Sequence, residues 1–512
     1  MSTFQGIEMA KKALFAQQGG LHTTGHNIAN ANTRGYTRQR VDFNATTPFP
    51  VPSRVMPNLP GQLGTGVEIG TVQRIRDMFL DSQYRSENSR LGYWGERSEA
   101  ISRIENLLNE PSDTGISKAM DSFWESLQEL SANPDNSGAR EVVAERGLAL
   151  TETFNYISKN MQTIQGDLKS QIDASVDDIN SIVRRINGIN EQIQKIEPHG
   201  LLANDLYDDR DLLLDELSQL VNIKVHYRSS SDSALEIADG LASIEIVDES
   251  GASIGADGVF LIDLTDENTS PSDPNVLNEL SVGYADNGLV GNIDVDGSTS
   301  DLALLDSIGS LSGLIKAHGY TDDNGEYGIF PDHLRQLDDM AREFAEAFND
   351  QHASGLDVNQ EDGLSFFNTS DNSDTITAEN ITVNKDILED TSLIAAAEEG
   401  AGSRNGENAL KLAELFDVPI EGLGETSVRK YFSSMIGKLG VEGQEANRMK
   451  GNTEILQSQI DNQRQSVSAV SLDEEISNLV KFQHAYNAAA RNMTAIDEML
   501  DRIINNMGLV GR

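Results

Sequence analysis

Apolar residues recur at three- and four-residue multiples across positions 4 to 28, where Phe4, Ile7, Leu14, Leu21 and Ile28 line one face of a helix about 40 Å long. A second stripe closes the chain. Leu472, Ile476, Leu479, Tyr486, Ala490, Met493, Leu500, Ile504 and Met507 fall on steps of three, four or seven, a heptad seam with Gln483 and Asp497 as polar members. Between the ends, a helical region runs from about 90 to 222. Its centre steps through Phe154, Ile157, Met161, Ile164, Leu168, Ile172, Val176, Ile179, Val183, Ile186, Asn190 and Ile193, with a run of fours from Ile164 to Val176 that locally relaxes a supercoil. This length predicts a rod helix rather than an ordinary core helix of about 11 residues.

After Val221 the pattern alternates, and VNIKVHY, ALEIADG, ASIEIVDES and GVFLIDL read as short strands separated by glycine, serine and aspartate. The β-rich insert runs to about 310, where LSGLIKAHG ends it. Helical periodicity returns from Pro331 to His352 through Leu334, Leu337, Phe344 and Phe348, followed by a strand within TITAENITVN, shorter helices to 440, and a helical pattern from Glu445 to Ser466.

Two breaks isolate the terminal stripes. TTPFPVPSRVMPNLPG holds five of the chain's twelve prolines and reads as an extended connector. At the other end SVSAVS leads into Ser471-Leu-Asp-Glu474, a capping sequence. Terminal helices with no local core to cover pair with each other or with other copies. The predicted fold is α+β and multidomain: residues 1–45 with 471–512 as a coiled coil of the two termini, 46–228 with 311–470 as a helical rod-like middle domain, and 229–310 as an inserted, acidic β-rich domain that faces solvent.

Composition narrows the function. A net charge of -43 over 512 residues argues against nucleic acid, which needs a basic face to release phosphate counterions. No stretch reaches the roughly 18 apolar residues of a membrane span, and a chain without cysteine offers no disulfide or thiolate site. MSTFQGIEMAKKALFAQQ lacks the short apolar core of a cleaved secretory signal. Lys11 and Lys12 alone do not make the basic stripe of a membrane-surface helix.

Several motifs imitate chemistry. Gly251-Ala-Ser253-Ile-Gly255 has the spacing of a nucleophile elbow, and a hydrolase using Ser253 is the alternative function of a different class; a strand rather than a helix follows, which predicts a hairpin turn. Asn292, Asp294, Asp296 and Gly297 open like a calcium loop, but its twelfth position is Ala303. His22 and His26 have metal-binding spacing without a third ligand, and read as histidines on the polar side of the helix. Gly64, Gly66 and Gly70 miss the dinucleotide spacing. Asp208, Asp209 and Asp211 read as acids complementing the dipole at a helix start. No catalytic residue, metal or cofactor is implied.

GHNIANANTRGYTRQR resembles the N-terminal signature of the bacterial flagellar axial proteins of rod, hook and junction, and SLDEEISNLVKFQHAYNAAARNMTAIDEMLDRIINNM resembles their C-terminal signature. The middle is similar to the hook-associated protein 1 family through RIENLLNEPSDTGISKAMDSFWESLQELSANPDNSGARE, NGINEQIQKIE, NDLYDDRDLLLDELSQLVNIKV, FPDHLRQLDDMAREFAEAFNDQHASGLD and DGLSFF. The resemblance covers most of the chain outside about 230 to 300. It implies a non-enzymatic adaptor that polymerises between hook and filament and is exported unfolded without a cleaved signal. The implied partners are other copies, the hook protein, the second junction protein (hook-associated protein 3) and a cytoplasmic export chaperone on the C-terminal helix. Another axial subunit, hook or distal rod, is the alternative within this class.

Within the N-terminal motif, Asn27, Asn30, Asn32, Thr33, Gly35 and Tyr36 carry the signature. Asn30 and Asn32 tolerate left-handed backbone and Gly35 supplies it, so the helix is expected to end here and the chain to turn outward. Tyr36 is expected to anchor the outgoing leg on a neighbour, with Arg34, Arg38 and Arg40 supplying positive charge to an acidic assembly. Crowding such acidic copies predicts a saline working environment, since screening shortens repulsion to about 8 Å at physiological salt.

Overall fold

The computed structural model describes residues 3–49, 63–108, 115–255, 258–295, 302–371, 373–398, 402 and 404–506. Met507, Asp296, Gly297 and most of the proline-rich connector lie outside them.

The terminal helices are α1 (Thr3–Ala29) and, at the far end, α11 (Leu472–Asn506), and they pack on each other. Strands β1 (Gln39–Ala45) and β2 (Val67–Arg74) flank the proline-rich stretch and pair antiparallel from Gln39↔Arg74 to Ala45↔Val67. The connector therefore leaves and returns at one place, with β1 and β2 forming the base of a hairpin arm.

From this root rise α2 (Met78–Leu108), α3 (Ile116–Ala132), α4 (Ser137–Ile196) and α5 (Asn204–Leu220). The rod helix is real: α4 has 60 residues, which at 1.5 Å each span about 90 Å. Every position of its predicted stripe is buried except Ile164, which is half-buried. Asn136 caps it, its side chain accepting the Gly138 N–H at 2.9 Å. The polar members grip the β domain: the Nδ2 groups of Asn180, Asn187 and Asn190 donate to the carbonyls of Leu280, Pro271 and Ala242.

The β region forms two small sheets. β3 (Ile223–Arg228), β4 (Leu241–Ile246) and β5 (Val259–Ile262) make one, in that order. The other joins β6 (Leu280–Tyr284) and β7 (Val290–Val295) to β8 (Tyr320–Asp322) and β9 (Gly325–Tyr327), which follow α6 (Ser310–His318), so this sheet draws on residues beyond 310. ALEIADG is not a strand; Ala234 and Ala238 donate to Ser231 and Leu235 in consecutive turns that deliver Gly240, at positive φ, to β4.

The upper rod closes around α7 (Ile329–Ala353), two small strand pairs, β10 (Gly355–Leu356) with β13 (Ala397–Glu398) and β11 (Phe367–Thr369) with β12 (Ile381–Val383), and two short helices, α8 (Lys385–Glu389) and α9 (Glu407–Glu414). Phe123, Phe344, Phe348, Phe366, Phe367 and Phe416 form its buried aromatic centre. The chain then descends along α2 as α10 (Val428–Ser468), longer at its start than the Glu445–Ser466 pattern suggested.

His352 sits beside that centre with both nitrogens committed. Nδ1 donates to the Leu364 carbonyl at 2.5 Å, and Nε2 accepts the Ala395 N–H at 2.9 Å. Burial drives its pKa from 6.5 down to about 4, so the fold requires neutral imidazole. The corresponding stability is complete above pH 6.5 and is lost as pH falls toward 4, about 3 kcal/mol for such a shift. Melting of the full chain at pH 7 and pH 4.5 should show this loss, and His352→Gln should shrink the difference between the two.

Candidate assembly site

The terminal helices meet through small residues. A Cβ on Gly6 would stand 3.0 Å from Ile496, and one on Gly20 3.1 Å from Phe482, so the pair is antiparallel and closely approached. Ala10 and Ala16 are buried between these glycines. The α11 side of the seam runs Glu475, Leu479, Phe482, Tyr486, Ala489, Met493, Ile496 and Leu500, all buried or half-buried on alternating steps of four and three.

This seam divides the predicted interface. Leu479, Tyr486, Met493 and Leu500 are half-buried along it, whereas Leu472, Ile476 and Ile504 stay 48%, 54% and 72% exposed. Gln483 and Asp497 are exposed too, because the seam passes one position earlier, through Phe482 and Ile496. On α1, Ile7, Leu14, Leu21 and Ile28 are half-buried, and Phe4 is 69% exposed. Positions seven apart nearly superpose on a helix, so 7, 14, 21 and 28 form their own stripe, about 100° round from the seam at 6, 13, 20 and 27. The hairpin arm lies on the pair through Phe43, whose ring stands 5.8 Å from that of Phe482, and through Ile69 against Gly19.

The stretch after α1 ties the pair to the rod, and each residue has a distinct partner. Buried Asn27 acts like a strand edge, its Nδ2 donating to Gln39 O at 2.8 Å and its Oδ1 accepting Gln39 N–H at 3.0 Å. Asn30 ends the helix by donating its Nδ2 to His26 O, and Thr33 donates to Asn30 Oδ1. Among the described residues of the motif only Gly35 has positive φ, +83°, so Asn30 and Asn32 are not left-handed as expected; Asn32 is simply exposed.

Tyr36 binds its own chain. Its hydroxyl donates to Asn27 Oδ1 at 2.8 Å and lies 2.9 Å from His26 Nδ1. His26 is therefore half-buried against Tyr36 rather than a free surface histidine, and His22 stacks on it. Burial, then Asp208 and Asp205, push the Tyr36 phenol well up, so it stays a neutral donor. Tyr36→Phe should cost the terminal pair about 1 kcal/mol by removing one shared hydroxyl. Hydrogen exchange of α1 should quicken severalfold, with the middle domain's melting unchanged.

Next in line, Thr37 N–H donates to Asp208 Oδ2 at 2.9 Å, and Gln39 Nε2 to Asp205 Oδ1 at 3.1 Å. Arg38 reaches the other terminal helix, pairing with Glu475 at 2.7 Å and Glu474 at 2.8 Å, while its N–H donates to Ser468 O. Its charge is spent within the chain, and Glu474 serves Arg38 where the sequence suggested a cap for Ser471. Arg40 pairs with Asp42, and Arg34 stays 79% exposed, 3.7 Å from Glu216.

Below Thr37 lies an ionic cluster that the sequence did not reveal. Asp211, fully buried, meets Arg74 at 2.9 Å, Arg76 at 3.2 Å and Arg85 at 3.2 Å. Arg74 also pairs with Asp208 and Asp239, Arg76 with Asp81, and Asp215 joins Arg85 to Arg464. Burial alone would raise the Asp211 carboxyl, but Arg76, Arg74 and Arg85 outweigh it and hold it well below the usual range. Because α5 starts at Asn204, Asp208 and Asp211 sit in its second turn as partners of arginine, not as dipole-matched acids at its start. The partners come from β2, the short link after it and α2, over 120 residues away, and no local pattern pairs them.

The catalytic imitations resolve as turns. Ser253 is exposed in a hairpin, with Val247↔Ser253 bridged and Gly251 and Gly255 at positive φ. Glu245 lies between Ser253 and His226, its Oε2 2.7 Å from His226 Nε2, so the carboxylate and not the histidine is next to the serine. Asn292 and Asp294 lie along β7, and no group of three metal-ligand side chains occurs among the described residues.

Comparison with known proteins follows the same lines. Residues 101–367 match the model for the flagellar hook-associated protein FlgK helical domain, and residues 461–507 that for the flagellar basal body rod FlgEFG protein C-terminal region. Flagellar hook-associated protein 1 of Bacillus subtilis is 46% identical over 100% of both chains, and its Escherichia coli counterpart is 26% identical over 98% of this chain and 99% of its own. The solved flagellar hook junction protein FlgK from Burkholderia pseudomallei shares the fold, with a TM-score of 0.58 at 15% identity, over 76% of this chain and 100% of that one. The helical rod, the joined terminal helices and full-length likeness to the Bacillus protein together place the chain in the flagellar hook-associated protein 1 family.

Proposed function

We propose that the chain is the hook–filament junction adaptor: it polymerises on the distal end of the hook and presents the surface on which the second junction protein, hook-associated protein 3, and then the filament are built. The observation that carries this reading is the terminal pair itself. It is joined by a seam of small residues and leaves Phe4, Leu472, Ile476 and Ile504 bare, which is apolar surface for neighbouring copies. Charge points the same way. Residues 3–45 and 472–506 carry eight lysines and arginines against eight aspartates and glutamates, so the acidic excess of the chain lies elsewhere. Terminal pairs can therefore crowd together while the acidic remainder faces solvent.

Before assembly, bare apolar positions on α11 suit an amphipathic-groove chaperone in the cytoplasm, and export proceeds without a cleaved signal. The chain acts outside the cell as a structural subunit, not as an enzyme. Deleting its gene tests the adaptor reading: cells should keep hooks, lack filaments and shed filament protein as monomers. A hook or distal rod subunit, the alternative raised by the shared C-terminal region, would instead leave no hook. The saline expectation has its own assay. Binding of the adaptor to isolated hook ends should rise between low and molar salt, and flat occupancy would sink it.

A further inference from the structure

Helix α10 is covered on one side only. It lies along α2, and its buried positions include Leu439, Gly443, Ala446 and Thr453. Two residues on from the buried row Leu439, Ala446 and Thr453, and so on the far side of the helix, stand Val441, Arg448 and Ile455. With Gly437, Gln444 and Gly451 they make a second stripe, on alternating steps of four and three, in which Val441 is 65% and Ile455 68% exposed. The glycines of this side relieve no clash inside the chain. A Cβ on Gly437, Gly440 or Gly451 would meet nothing within 4 Å, whereas one on Gly443 would stand 2.8 Å from Glu105 and 3.1 Å from Ile101. Glycine weakens a helix interior relative to alanine, so glycines that make no room within the chain suit a backbone that approaches from outside.

Charge singles out the same helix. Val428–Ser468 carries six lysines and arginines against four aspartates and glutamates, in a chain of net charge -43. Arg448 and Lys450 are exposed, so α10 packed on its own copy would bring like charges together. The face that complements it is on α4. Opposite its buried row Gly147, Phe154 and Met161, α4 exposes Val142, Ala149 and Tyr156 at heptad spacing, with Glu145 and Glu152 between them and Arg146 at one border. Among the described residues Arg448, Glu145 and Glu152 have no ion-pair partner. Direction agrees as well. α4 nears the root of the rod at its C-terminal end, where Asn190 meets Arg210, and so does α10, where Arg464 meets Asp81 and Asp215. Copies that share one orientation therefore present α4 and α10 to each other in parallel.

We propose that the outer stripe of α10 in one copy packs on the Val142–Tyr156 stripe of α4 in the next. Val441 and Ile455 are 14 residues apart, as are Val142 and Tyr156, so Val441 sits on Val142 and Ile455 on Tyr156 in a single register. In that register Arg448 lies over Ala149, between Glu145 and Glu152. The two faces are unlike, so the contact leads on from copy to copy instead of closing a pair, which is the kind that builds a ring or a helical array. The inference rests on the polymerising subunit proposed above and adds the surface through which its rods meet.

A chain without native cysteine lets cross-linking read this contact. A disulfide needs Cα atoms within about 7 Å, a distance that close helix packing supplies. In junctions formed on isolated hook ends, the full chain with Ile455→Cys and Tyr156→Cys should give a ladder of dimers, trimers and longer products under mild oxidation, because each molecule carries both halves of the contact. Val441→Cys with Val142→Cys should give the same ladder, and guards against one pair that misfolds. Any of the four cysteines alone should leave monomers. In cells, Arg448→Glu should cut the number of filaments severalfold, and adding Glu152→Arg should restore them. Chain that occupies the hook ends but links through neither pair overturns this contact and leaves the adaptor reading standing. Dimers from Ile455→Cys alone overturn it in favour of like faces paired, and filaments that Arg448→Glu spares, or that Glu152→Arg fails to restore, overturn it too. Chain absent from the hook ends overturns both proposals.

Discussion

Asp211→Asn should be among the most damaging single substitutions in the rod, costing about 3–5 kcal/mol, because it strips the shared counter-charge from buried guanidinium groups. Arg74, Arg76 and Arg85 all reach Asp211, and all are nearly enclosed. Asp208, Asp239, Asp81 and Asp215 keep one arginine or another partly neutralised, so the loss is a weakened network rather than three isolated charges. Denaturant unfolding of the middle domain reads this directly. A second variant separates charge from packing: Asp211→Leu with Arg85→Leu removes a charge of each sign and should recover part of the loss. If Asp211→Asn unfolds within 1 kcal/mol of the parent, the cluster is not what roots the arm and α2 to α5.

The reasons this cluster escaped the sequence, while the rod did not, are physical. A helix such as α4 announces itself because its stripe repeats locally for 60 residues, and nearly every predicted position is buried. Asp211 has no such periodicity; its meaning lies in arginines brought together by the fold, and the dipole reading of the Asp208–Asp211 run was the best local account. The proline-rich stretch is a different case. Prolines report extension but not direction, and only the pairing of Gln39–Ala45 with Val67–Arg74 shows that the chain turns back.

At the terminal site, periodicity found both helices and their ends, but a helix can carry two stripes and the larger residues mask the smaller. Close approach of α1 to α11 depends on Gly6, Ala10, Ala16 and Gly20, which contribute little to an apolar count. The spacing of glycine and alanine at 6, 10, 13, 16 and 20 was the available signal. The motif alone does not show what Tyr36 does within its own chain, where its hydroxyl donates to Asn27 Oδ1, nine residues earlier in the turn it helps to build.

Replacing Leu14 and Leu21 together by aspartate should abolish filament attachment while leaving the rod's unfolding unchanged. Both side chains lie beside the seam rather than in it, half-buried within one chain, so the isolated subunit tolerates charge there. An assembly that covers this flank cannot, since each buried, unpaired carboxylate costs several kcal/mol in every copy. Within the pair, Arg38 is already committed to Glu474 and Glu475, and Arg40 to Asp42. Leu14→Met with Leu21→Met preserves volume and should assemble normally, which distinguishes loss of an interface from loss of shape. The readouts are motility, filament counts by electron microscopy and filament protein released to the medium. Normal filaments on the aspartate variant would mean that this flank faces solvent in the assembled junction, and that copies meet instead through the exposed ends at Phe4, Leu472, Ile476 and Ile504.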